Sequence, residues 1–173
     1  MNIYVLFVLG KSEQRIKEYI NKYTFHEAIV PVVVKLLKRK TTIIKQEKIL
    51  FPSYVFVRSE LSPQAFKAYA QQYLYNLTGF IKILSYKESE LDALSSEEIR
   101  TLQPFFKNKG QFEASIGFIE GDQIIITSGP LMGLESKIMH INRHKQQARL
   151  QVTLFNEVKE VNVSLEILSR LRL

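Results

Sequence analysis

Apolar residues along this chain recur in two different rhythms. Ile3 to Val8 is an unbroken run of β-branched and aromatic residues closed by Gly10, which predicts a buried strand. From Ser12 the spacing changes, and Ile16, Tyr19, Ile20 and Tyr23 fall on one side of a helix. Ala28 to Leu37 is β-rich again. Pro31 near its start suits a sheet edge, because proline has no N–H to give a ladder. Lys38 to Thr42 predicts an exposed turn, and Ile43 to Lys48 the returning arm of a ribbon. The densest apolar segment runs from Ile49 to Arg58; Pro52 interrupts it, so Tyr54 to Arg58 is expected as the central strand. A helix from Pro63 to about Tyr73 follows, capped by Ser62, then a short strand at Phe80 to Ile83. A last helix spans Ser95 to Phe106, with Glu97 and Glu98 at its positive end. This order predicts one mixed sheet with flanking helices, an α/β sandwich.

Beyond that helix the rhythm becomes pure β. Lys107 to Ser115 is polar, contains Gly110, and is expected to be a linker. Short strands are predicted at Gln123 to Thr127, Glu135 to Asn142, Gln147 to Leu154 and Val158 to Val163. Ala148, Leu150, Val152 and Leu154 alternate with Arg149, Gln151 and Thr153, as in a strand wet on one side. The fold class is therefore α+β, with a domain over residues 1–106, a linker over 107–115 and a small β-barrel over 116–173.

Charge and composition narrow the function. The chain carries 24 Lys and Arg against 17 Asp and Glu, net +7. Residues 1–115 hold 17 basic and 11 acidic side chains (+6), leaving 7 and 6 (+1) for the remainder. That balance favours acidic partners, of which nucleic acid is the commonest, although many basic proteins are simply soluble. The absence of cysteine removes disulfides, thiolate metal sites and cysteine nucleophiles together. Asp92 and Asp122 are the only aspartates, and neither a Ser–His nor a paired-carboxylate arrangement can be argued, so neither catalysis nor a cofactor is expected. The apolar N-terminal run is too short for a signal peptide, and nothing approaches the roughly 20 apolar residues of a membrane span. No membrane partner is expected, and the cytoplasm is the expected compartment.

Two sets of motifs carry a resemblance. The first is Ile3-Tyr4-Val5-Leu6 with Gly10 and Glu13, then Val30-Pro31, Phe51-Pro52-Ser53-Tyr54-Val55-Phe56-Val57 and Thr78-Gly79-Phe80-Ile81. The second is Glu120-Gly121-Asp122-Gln123, Ser128-Gly129-Pro130-Leu131-Met132-Gly133-Leu134-Glu135 and Val152-Thr153-Leu154-Phe155. Together they resemble the NusG family of transcription elongation factors: the first set its N-terminal NGN-type domain, the second its KOW-type barrel. The family usually has Trp where Ile3 stands and Gly where Ser53 stands, and no basic residue follows the second loop glycine here. The chain is thus similar to specialised paralogues that antiterminate particular operons, including the LoaP type that recognises an RNA hairpin.

The resemblance implies a monomer whose first domain places Tyr4, Phe51, Pro52, Tyr54 and Phe80 in an apolar patch gripping the clamp helices of the largest subunit of RNA polymerase; the bland reading of these residues is ordinary core. It also aligns Leu154 and Phe155 with a surface for a small-subunit ribosomal protein or a termination factor, though they could equally be buried. Read from charge alone, Lys35, Lys38, Arg39 and Lys40, with Lys45 and Lys48, form a basic ribbon that is either a solvated hairpin or a phosphate-contacting surface. Lys137, His140, Arg143, His144, Lys145 and Arg149 cluster around one hairpin, which is either an exposed turn or a platform for nascent RNA, such as a hairpin. His140 and His144 are four apart but have no third ligand near in sequence, so metal is not expected. The main alternative to a polymerase-binding antiterminator is a free-standing RNA-binding or ribosome-associated KOW protein. Gly129 and Gly133 are read as giving the backbone freedom a tight turn needs.

Overall fold

The computed structural model describes residues 1–39, 42–87 and 92–168, with the backbone alone for 36–39 and 42–43. The chain forms two compact units. The first comprises Met1–Val30, Phe51–Thr101 and Thr153–Glu157, the second Pro31–Leu50, Leu102–Val152 and Val158–Leu173.

The first unit is built on β1 (Asn2–Val8), β2 (Glu27–Ile29), β5 (Tyr54–Ser59) and β6 (Phe80–Ile83), in the order β2-β5-β1-β6. Tyr54 to Arg58 is central, as expected. The sheet is not mixed, however: all three pairings are antiparallel. The reason lies in the helical crossovers. Helix α1 (Glu13–Tyr23) joins β1 to β2, which run parallel with β5 between them; α2 (Pro63–Tyr73) joins β5 to β6, which run parallel with β1 between them. Each crossover thus skips one strand, and an antiparallel strand fills the gap.

Val5, Leu6, Val55 and Val57 of this sheet are fully buried, together with Ile16 and Ile20 of α1 and Phe66 and Ala70 of α2. Each large side chain among them contributes about 1.5–3 kcal/mol by leaving water. Ser62 caps α2, its hydroxyl accepting from the Ala65 N–H at 3.3 Å. Helix α3 (Ser96–Phe106) opens on a reciprocal cap: the Ser95 hydroxyl accepts from the Glu98 N–H at 3.3 Å, and the Glu98 carboxylate accepts from the Ser95 N–H at 3.0 Å.

The second unit holds a three-stranded sheet, β4 (Thr42–Ile49), β3 (Val32–Arg39) and β7 (Gln111–Phe112), and a five-stranded one. The latter runs β10 (Ile138–Asn142), β11 (Gln147–Leu154), β12 (Glu157–Ile167), β8 (Ser115–Glu120), β9 (Gln123–Ser128). The single strand expected over Ala28 to Leu37 is broken at Val30-Pro31, with β2 in one sheet and β3 in another. Nor is the stretch expected as a linker unstructured. Asn108–Gly110 is a 3-10 turn, β7 pairs parallel with β3, and Phe112 is fully buried, stacked on Phe105 at 4.7 Å. One aromatic anchors an otherwise polar segment. The strand expected from Glu135 begins only at Ile138, after a 3-10 turn at Glu135–Lys137. The alternation of β11 is as read: Ala148, Leu150, Val152 and Leu154 are buried.

Between β9 and β10, Leu131 is fully buried, and its N–H donates to the Ser115 hydroxyl at 3.0 Å. Gly129 (φ +97°) and Gly133 (φ +81°) flank it in conformations that an L side chain rarely adopts. No helix among the described residues is long and apolar enough to cross a membrane.

Candidate functional site

Strand pairing decides which aromatic rings of the first unit face outward. Residues opposite one another on antiparallel strands share a face. Phe7 lies opposite Tyr54 and Lys82, and Val5 opposite Phe56, whereas Tyr4 lies opposite Val57. Tyr4 and Tyr54 are therefore on opposite faces of the sheet. The Tyr4 ring is 0% exposed, stacked on Phe66 at 3.9 Å, and its hydroxyl donates to the Leu61 carbonyl at 2.7 Å. Burial, the largest effect on it, raises its pKa. Tyr4 is thus core and offers a partner nothing, contrary to expectation. Phe51 is also buried, edge-on to Phe56 at 5.4 Å.

What that face offers is smaller than the predicted set and includes a ring it lacked. Phe7 and Tyr54 are half-buried and meet edge to face at 6.0 Å. Pro52, two residues before Tyr54, is exposed; Phe80, half-buried, packs on Tyr75 at 4.9 Å. The loop is held by Ser53, whose backbone has φ +67°. Its N–H donates to the buried Glu13 carboxylate at 2.8 Å, and its carbonyl accepts from the Val8 N–H at 2.9 Å.

In the second unit, Lys137, His140, Arg143, His144, Lys145 and Arg149 are all exposed. His140 of β10 stands opposite Arg149 of β11. His140, Lys145 and Arg149 border one depression of about 190 Å³; Arg149 also pairs with Glu160 at 3.7 Å. Lys35 is half-buried on β3. The side chains of Lys38 and Arg39, and all of Lys40, lie outside the described residues. Among the described residues, no three histidine or acidic side chains converge as metal ligands would.

Leu154 and Phe155, expected as a partner surface, are buried in the first unit. Phe155 meets Tyr86 at 5.0 Å, and the Asn156 N–H donates to Glu98 at 3.4 Å. Tyr86 donates its hydroxyl to the same carboxylate. Burial pushes the Glu98 pKa up, but the hydrogen bonds from Tyr86, Ser95 and Asn156 outweigh it, and the net shift is downward. As folded here, neither residue presents a surface.

Comparison with known proteins gives consistent relatives. The chain is 25% identical to the transcription termination/antitermination protein NusG of Thermus thermophilus over 87% of its own length and 84% of that protein's. It is 22% identical to NusG of Rickettsia bellii over 93% of its length and 85% of that protein's, and 23% identical to NusG of Rickettsia felis over the same shares. Residues 1–103, more than half of the chain, match the family described as transcription termination factor nusG. The chain belongs to the NusG family, whose members are transcription factors, and it is not an enzyme.

Proposed function

We propose that this chain is a transcription elongation factor that docks on RNA polymerase and carries it through the terminators of particular operons, as a specialised, LoaP-like member of its family. The observation that carries the reading is the Phe7–Tyr54 pair, two large rings left partly exposed on the sheet face opposite the one where Tyr4 stacks on Phe66 of α2. An aromatic cluster with a polar rim suits the groove or ridge of a helical partner. The clamp helices of the largest polymerase subunit are the partner that the family resemblance supplies. Residues 1–106 act as the NGN-type polymerase-binding domain, joined through 107–115 to a KOW-type barrel at 116–173, and the exposed basic hairpin of that barrel meets nascent RNA. Processivity then needs only tighter binding to the closed clamp than to the open one. Single-round transcription past an intrinsic terminator tests this. Read-through rises when the protein is added and stays at its basal level with Tyr54→Ala; no rise with the unaltered protein sinks the proposal.

The four exposed lysines and arginines around β10 and β11, Lys137, Arg143, Lys145 and Arg149, with His140 and His144 beside them, favour one rival, an RNA-binding protein that never touches polymerase. Binding to single-stranded RNA weakens with salt at a log–log slope of about −0.7 per phosphate contact, whereas an apolar grip on polymerase barely responds.

A further inference from the structure

Along β12 the side chains alternate. Val161, Val163 and Leu165 are buried on one face, and Asn162, Ser164 and Glu166 lie on the other. Ser164 departs from its neighbours, being only 7% exposed while its hydroxyl has no hydrogen-bond partner among the described residues. It lines a cleft of about 740 Å³, within the range of about 300–1,000 Å³ typical of ligand sites. Lys35 of β3, Lys45 of β4 and Lys145 of the β10–β11 turn border the same cleft, as do Glu113 and Glu166. Lys45 already pairs with Glu47 at 3.2 Å and donates to Gln111 at 3.2 Å. Lys35 and Lys145 form no ion pair among the described residues.

Lys145 also borders the smaller depression of His140, Arg149 and Asn162. The two cavities therefore share Lys145 and adjoin along the outer face of β12, with Asn162 in one and Ser164 and Glu166 in the other. We infer that they form one track that binds an extended single strand of RNA. Lysines take the phosphates. Glu113 and Glu166 accept from ribose 2′-hydroxyls or base amino groups, the Ser164 hydroxyl gains its missing partner, and Val34 supplies apolar wall. A lining with both signs of charge suits a ligand that carries donors beside its anions, and two joined cavities suit a polymer rather than a single nucleotide. The inference rests on the basic hairpin facing RNA and adds the cleft, its direction along β12 and its preference for ribose.

The test is fluorescence anisotropy of the full chain with a labelled mixed-sequence RNA of about ten nucleotides, a length within single-strand site sizes. Lys35→Ala is expected to weaken binding about 3- to 10-fold and to lower the salt slope by about 0.7. Ser164→Ala is expected to weaken it about 3-fold while leaving the melting temperature unchanged or higher, since the hydroxyl has no partner among the described residues. DNA of the same sequence is expected to bind more weakly than RNA. If Lys35→Ala and Ser164→Ala bind as the unaltered chain does while Arg143→Ala is impaired, the cleft is overturned and the RNA-facing hairpin stands. If the unaltered chain binds no RNA, both fall. Equal affinity for DNA, or equal displacement by a mononucleotide or by polyglutamate, also overturns the RNA track.

Discussion

Replacing Gly129 with alanine should cost the protein far more than the same change at Gly133, four residues on. At Gly129, φ is +97°, and an added Cβ would stand 2.6 Å from both Cα and the hydroxyl of Ser115 and 2.9 Å from the Ala114 carbonyl. Ser115 opens β8, is wholly buried, pairs with Leu165 and accepts the Leu131 N–H, so it cannot retreat cheaply. Left-handed backbone costs an L-residue about 1–2 kcal/mol, and overpacking adds about 1–3 kcal/mol. Restricting the unfolded chain returns about 0.4–1 kcal/mol. The net loss for Gly129→Ala is then about 1–4.5 kcal/mol, centred near 3. At Gly133, φ is +81° and nothing among the described residues lies within 4 Å of the added carbon, so strain alone remains, about 1 kcal/mol net. Urea unfolding followed by circular dichroism measures both. Equal destabilisation of the two variants would refute the claim that the first glycine is required by close approach to Ser115.

Other expectations follow from local geometry. Ser53→Gly should stabilise the fold by up to about 1 kcal/mol, because φ +67° strains serine but not glycine; a drop in melting temperature would argue against strain there. His26 is buried against Phe25 and Tyr69, both ring nitrogens lack hydrogen-bond partners among the described residues, and burial lowers its pKa. The unfolded chain binds that proton more readily, so stability should fall as pH drops below the ordinary histidine value. His26→Leu should flatten that part of the pH profile; an unchanged profile would contradict the assignment. Glu98, with its pKa lowered, contributes stability that is present above the ordinary carboxylate value and lost as pH falls through its folded value. Glu98→Gln should remove this acid-side loss, and a variant that retains it would show that other carboxylates cause it.

Local chemistry made much of the fold legible. Ser62 followed by Pro63 announced α2, the period-2 run from Ala148 to Leu154 announced β11, and Pro52 marked where β5 begins. What stayed hidden depends on pairing between distant segments. The placement of Tyr4 with Tyr54 failed because it needed the β1–β5 register, in which Phe7, not Tyr4, stands opposite Tyr54. A strand shifted by one residue exchanges its faces, and nothing within Ile3 to Val8 fixes that shift. Phe7 could have been reached by counting two positions at a time from buried Ile3 and Val5 once the pairing was known. Phe112 was missed because a lone aromatic in a polar stretch gives no period, although it is wholly buried. Around the basic hairpin, the sequence carried no sign of the cleft, since Lys35 and Lys145 are far apart in the chain.

The most direct test of the account is the affinity of the full chain for RNA polymerase core enzyme from the same organism, compared among the unaltered protein, Tyr54→Ala and Phe7→Ala. Hot-spot aromatics of this kind are worth about 2 kcal/mol or more each, so either variant should bind at least about 30-fold more weakly with its circular dichroism unchanged. Failure of the unaltered chain to bind core enzyme, or equal binding by all three proteins, would contradict the claim that this face grips the polymerase.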